Sequence, residues 1–251
     1  MPEALPGLFH WKDSWIVGTE HHGGLKLLIK GSVTALILVL AIWRPEILVI
    51  TFTYPILFFK VYHIVWLMTM WLLIKRMVPR MNTKISMGKI FERHYSGAPS
   101  GDPTKQEKLK EKLGDYTHRM NVGALRTAIY WLLAVLFVGL LYNTGVLNRM
   151  WLILTVVFFI FMDQFCVSAW CVFKWIIGNK CCNTCRINNW GYLMAFSTLV
   201  FIPSFWTYSV LVMSTIVVIQ WEYLYSRHPE RFYELYNANL QCRNCDGICK
   251  A

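Results

Sequence analysis

The sequence predicts an all-α protein: a polytopic transmembrane helical bundle of five or six spans, with short cytosolic Cys-rich segments. Three observations carry this. The 251-residue chain is 56% hydrophobic with a mean hydropathy of +0.40. Only 16% of it is charged, where a soluble domain carries about 25%. The apolar residues also fall in blocks, at 25–43, 46–74, 122–142, 150–177 and 190–221. Low-charge runs of about 18 residues or more read as membrane spans.

Residues 1–24 read as an amino-terminal interfacial segment. They lack the basic start, apolar core and small-residue cleavage site of a secretory signal, so insertion is expected to be directed by the first span, Leu25–Trp43. The adjacent histidines of "HHGG" (His21–Gly24) cannot easily share one ion and are expected in an interfacial loop. Transmembrane helices 1 and 2 occupy 25–75, joined by the tight link Arg44, Pro45, Glu46. The run at 46–74 exceeds the roughly 20 residues one crossing needs. It is expected to tilt or kink, with Pro55 the natural break because proline lacks an amide donor.

Residues 76–121 form a basic cytosolic loop. From Lys75 to Asn121 there are eleven Lys/Arg against five acids. The links at 44–46 and 143–149 offer only Arg44 and Arg149, an alternation that follows the positive-inside pattern. The net charge of +11 therefore points to cytosol and anionic headgroups, not to nucleic acid, for which interleaved aromatics are missing. Within the loop, "SGAPSGDP" is turn-rich and "TKQEKLKEKLGDYTHRMN" predicts a short, charged, solvated connector helix. The implied location is a bacterial or archaeal cytoplasmic membrane, with the amino terminus and basic loop in the cytosol and the lipid bilayer as first partner.

Transmembrane helices 3 and 4 are placed in 122–178, followed by a Cys-rich loop at 179–189. The segment 190–225 is either a final transmembrane helix or a short hairpin turning near Pro203. One span would leave the 226–251 tail on the far side from Cys185; a hairpin would return it. Charge does not choose, because four basic and four acidic residues follow Gln220. Tryptophans and tyrosines gather near run ends, as interfacial anchors do.

All eight cysteines lie in the last 86 residues. Cys166 and Cys171 fall inside the fourth run and read as small hydrophobes. The other six form two clusters: Cys181, Cys182, Cys185 and Cys242, Cys245, Cys249. Each contains a C-x-x-C pair beside an arginine. That spacing lets one turn aim two sulfurs at one ion, and two such turns make a tetrahedral thiolate site. A nearby cation favours the thiolate. An iron–sulfur cluster is favoured because six thiols exceed the four that one zinc needs, although the C-x-x-C-x-x-C-x-x-x-C run of bacterial ferredoxins is absent. Structural zinc, thiol–disulfide exchange and palmitoylation are the alternatives. The expected function is membrane redox or electron transfer through a cytosol-facing metal centre, with a lipid-soluble electron carrier or a cytosolic redox partner. The rival is a transporter or complex subunit with a zinc–thiolate staple.

Ionisable residues inside spans are functional candidates by default. His63, near Lys60, suits a proton relay or a quinone contact, or else a bond to a neighbouring helix. Asp163, beside Gln164, suits a proton-handling acid, or a structural partner of His63 or Lys60. No phosphate-cradling glycine loop or nucleophile elbow is present.

Overall fold

A computed structural model describes residues 19–81, 91–92, 95–97, 103–171, 173–179 and 184–241. The described chain is mostly helical. In order it forms α1 (Thr19–Trp43), α2 (Pro45–Thr53), a two-strand hairpin of β1 (Pro55–Ile56) and β2 (Phe59–Lys60), and α3 (Val61–Met77). It continues with α4 (Pro103–Asn143), α5 (Arg149–Ser168), α6 (Phe173–Ile177), α7 (Gly191–Phe196) and α8 (Phe205–Arg227). Among the described residues, three helices, α4, α5 and α8, are by themselves long and apolar enough to cross a membrane, or four if the bent pair α1–α2 counts as one span, against the five or six expected. Their outer faces suit lipid: Leu132, Leu136 and Leu140 on α4, four residues apart, are 60%, 58% and 59% exposed. Such a stripe lies on one side of a helix.

Prolines set several breaks. Pro45 starts α2, where its missing N–H costs nothing, and the apolar axis bends there by 115°. Pro55 ends the helical path, so the 46–74 run is not one kinked helix but two helices joined by a β-hairpin whose tip residue Leu57 has φ +56°. α3 restarts under a cap: the Lys60 amide donates to His63 Nδ1 at 3.0 Å. Asn148 caps α5 by accepting the Trp151 amide at 3.2 Å. Pro203 and Ser204 separate the 3-10 turn Ser197–Phe201 from α8, and Ser204 Oγ accepts the Thr207 amide at 3.2 Å.

Three further expectations are corrected. α1 begins at Thr19, so His21–Gly24 is helical, not a loop. The charged connector and the third span are one continuous 41-residue helix, α4. No breaker stands between Met120 and Val122, and the backbone bonds continue across the change in polarity. The fourth run is not continuous to Trp175: α5 stops at Ser168 and a separate short α6 follows, ended by Gly178 at φ +69°. Of the two forms open for 190–225, a final helix or a hairpin, the hairpin is the one observed.

The neighbours of α4 give the direction of that hairpin. Asn121 accepts from Arg186, Trp131 Nε1 donates to Ser197 Oγ at 3.1 Å, and Gly139 lies under the Phe201 ring. The segment 186–201 therefore runs alongside α4, in the same sense, over about 27 Å. α8 comes back beside α3: Trp66 Nε1 donates to Ser209 Oγ at 2.8 Å and Gln220 Nε2 to the Met77 carbonyl at 3.3 Å. α1 lies antiparallel to α5, with Lys30 Nζ donating to Gln164 Oε1 at 3.0 Å and Ala41 and Leu48 packed near Leu154. Small residues permit the tightest approaches. A Cβ on Gly123 would sit 2.7 Å from the Ile177 Cα.

The main core lies at the end that carries the basic residues. There Leu73, Tyr116, Met120, Trp221 and Phe232 are almost wholly buried, and Cys185 joins the same cluster.

Candidate functional site

Of the six cysteines in the two clusters, Cys185 alone lies among the described residues. Cys181, Cys182, Cys242, Cys245 and Cys249 lie outside them. Thr184, the residue before Cys185, and Phe232, in the segment that leads to Cys242, are described, and they meet at the basic end. The Tyr116 hydroxyl, on α4, lies 2.7 Å from the Thr184 carbonyl oxygen and 3.0 Å from the Phe232 carbonyl oxygen. Its single proton is shared between the residue before Cys185 and a residue of the tail. The Tyr116 ring stacks on Tyr233, with centroids 4.5 Å apart.

A second clasp lies one residue after Cys185. Arg186 is paired with Glu222 near the end of α8, its Nε donating to Glu222 Oε2 at 2.8 Å, and it also donates to Asn121. Its guanidinium lies 4.4 Å from the Tyr225 ring centroid, within cation–π range. Trp190 Nε1 donates to Glu222 Oε1 at 2.8 Å. One carboxylate thus holds both ends of the 186–190 turn, and charge-assisted bonds of this kind are the stronger sort.

The tail is folded up to Gln241, the residue before Cys242. Asn237 is fully buried; its Nδ2 donates to the Arg231 carbonyl at 2.9 Å and its Oδ1 accepts the Asn239 amide at 3.2 Å. The Ala238 amide donates to the Ser96 carbonyl at 2.9 Å, tying the tail to the basic loop. Gln241 Nε2 donates to the Glu234 carbonyl at 3.3 Å. Burial raises the Tyr233 phenol above its ordinary pKa, with the Glu234 charge adding to it. Burial and Glu230 do the same for Tyr95.

His63 and Asp163 do not meet. His63 caps α3 and lies against Trp206, centroids 4.5 Å apart, at the end remote from Cys185. Asp163 lies beside Gly191, where a Cβ would come within 2.7 Å of its Oδ1. It also faces a cavity of about 220 Å³ between α5, the turn before α6 and α7, together with Met162, Cys166, Cys171, Cys185 and Met194. Cys171 is buried, as its reading as a small hydrophobe expects, and with Cys166 it lines this cavity; that shared wall and the Arg186–Glu222 clasp were not anticipated. A faint signal existed for each: two cysteines near the end of one apolar run, and a lone acid closing another.

Among the described residues, no three His, Cys, Asp or Glu side chains are grouped so as to hold one metal ion. Compared with protein-family models, with curated proteins and with solved structures, the chain matches none.

Proposed function

We propose that the chain is an integral membrane redox protein carrying a Cys-ligated metal centre, an iron–sulfur cluster, at its basic, cytosolic rim. The single observation that carries the reading is the Tyr116 hydroxyl, shared between the carbonyls of Thr184 and Phe232. It draws the approach to Cys185 and the approach to Cys242 to one place, as a centre built from both clusters requires. Cys181, Cys182, Cys185, Cys242, Cys245 and Cys249 are its candidate ligands. The cluster would exchange electrons with a cytosolic redox partner or a lipid-soluble carrier. Six traverses fit the directions of the helices: α1, α3, α4, α5, the 190–201 segment and α8. At about 26 Å, α3 spans most of a hydrocarbon core of about 30 Å.

Structural zinc is the second reading. It is favoured by the tethering of the tail at Asn237 and Ser96, which is what a staple would reinforce, and by the sufficiency of two C-x-x-C pairs for one zinc.

Metal and acid-labile sulfide analysis of anaerobically purified protein decides between them. Iron with sulfide and a broad visible absorbance is expected. Stoichiometric zinc in a colourless protein selects the second reading, and neither metal rejects both. Cys185→Ser and Cys245→Ser are each expected to abolish loading. Loss in only one of them rejects a shared site.

A further inference from the structure

A groove of about 550 Å³ runs along α4 at the basic end, within the usual size of ligand sites. Its α4 wall is Thr117, Asn121, Ala124, Leu125 and Ala128, spaced as one face of a helix. From Thr117 to Ala128 this face covers about 16 Å. The polar residues come first and the apolar ones last, so the groove crosses the level at which α4 turns from charged to apolar. Arg186 and Trp190 line it too, with Tyr225 and Ser226 from the end of α8. Tyr225 is 3% exposed and belongs to the floor, yet its hydroxyl has no hydrogen-bond partner among the described residues. Thr117 and Arg186 stand beside that ring without a hydrogen bond of ordinary geometry to its oxygen. A buried donor left unsatisfied in a groove calls for an acceptor from outside the chain.

We propose that this groove holds one zwitterionic glycerophospholipid, of the phosphatidylethanolamine class, from the leaflet at the basic end. Its head lies at the Tyr225 end, and one acyl chain runs along Ala124 and Ala128. A soluble phosphate ester would leave the alanine end uncovered, and a plain hydrocarbon would leave the polar end unpaired. A lipid satisfies both, because its own polar and apolar parts are divided at the same level. The two alanines leave room for a chain that larger side chains would fill. Trp190 and Tyr225 are rings of the kind that gather at head-group depth. The Tyr225 hydroxyl and the amide nitrogen of Asn121, whose oxygen is engaged by Arg186, are donors for the phosphate, and bonds to a charged acceptor are the stronger sort. Charge selects the head group. Arg186 is already offset by Glu222, so an anionic head would bring a charge with no counterpart, whereas phosphoethanolamine carries its own ammonium.

This inference does not rest on the metal centre and holds whether the thiols carry iron, zinc or neither. The full chain, purified in mild detergent and stripped of lipid, is titrated with phosphatidylethanolamine and followed by native mass spectrometry. One saturating adduct per chain is expected. Ala128→Phe fills the apolar half and should abolish it. Tyr225→Phe keeps the ring, removes only the hydroxyl, and should weaken binding about fivefold, the worth of one hydrogen bond. Leu133→Phe, on another, exposed face of α4, should leave it unchanged. Tyr225→Phe carries the test by itself if Ala128→Phe does not fold. Unchanged affinity in Tyr225→Phe or in folded Ala128→Phe overturns the proposal, as does an equal loss in Leu133→Phe. Tighter binding of phosphatidylglycerol than of phosphatidylethanolamine overturns it too, and so does competition by free glycerophosphoethanolamine as strong as by the intact lipid.

Discussion

Glu222 is a single acid near the end of an apolar run, and in the sequence it looks like the start of a solvated tail. In the fold it carries both Arg186 and the Trp190 indole, with the side chains of Arg186 and Glu222 only 18% and 24% exposed. Removing one partner of a largely buried pair leaves the other charge without its compensation. Glu222→Ala is expected to destabilise the folded protein by about 1.5–3 kcal/mol, the range of hydrogen bonds to charged groups, measured by denaturant unfolding in detergent. Arg186→Met combined with Glu222→Ala should cost less than the sum of the two single changes; full additivity would mean the pair contributes nothing. Neither residue could be paired from the sequence, since they are 36 positions apart and flank a reversal whose existence was itself open. The same holds for Cys166, Cys171 and Cys185. Their chemistry is written in the sequence, but their common place in the wall of one cavity depends on where α5 stops and how the loop before α7 returns.

At the scale of elements, the strap from Pro229 to Gln241 is the least regular part of the described chain, yet Phe232, Asn237 and Leu240 are among its most buried residues. Short 3-10 turns and side-chain bonds from Asn237 hold it, with Tyr233 within it and Tyr95 beside it. Both phenols have a folded pKa above the unfolded value of about 10. A raised folded pKa stabilises the fold below the unfolded pKa, and this contribution is lost as pH rises through the folded one. The strap should therefore loosen above about pH 10, read as faster limited proteolysis within 229–241. Tyr95→Phe with Tyr233→Phe should move that onset higher. An onset left unchanged by the double variant would show that other groups release the strap. Other elements were more legible. Pro55 and Pro203 are breakers whatever surrounds them, and both breaks occur. The continuity of α4 was not legible, because a change from charged to apolar residues looks like a boundary while the backbone has no reason to stop.

Across the whole molecule, the order of contacts fixes which segments run together: α4 with 186–201, α3 with α8, and α1 against α5. Single cysteines placed by Lys108→Cys and Val146→Cys in a chain lacking its native cysteines should label from opposite sides of the membrane. Gln241→Cys should label from the same side as the first. Labelling of Gln241→Cys with Val146→Cys would restore a single long final span and separate the two cysteine clusters. The side chosen by α8 was not decided by charge, since the tail is balanced, nor by length, since the 190–221 run is too long for one crossing and short for two.

The sequence by itself determined the helical, membrane-suited class, the basic end and the chemical identity of the thiol clusters. These follow from composition and from the one-dimensional order of apolar and charged residues, which each helix expresses locally. Only the tertiary structure decided that the final run folds back, that the tail comes to rest beside Thr184, and that three cysteines from three segments line one cavity. Those outcomes depend on contacts between residues far apart in the chain, such as Tyr116 with Phe232 at a separation of 116, and no local pattern encodes them.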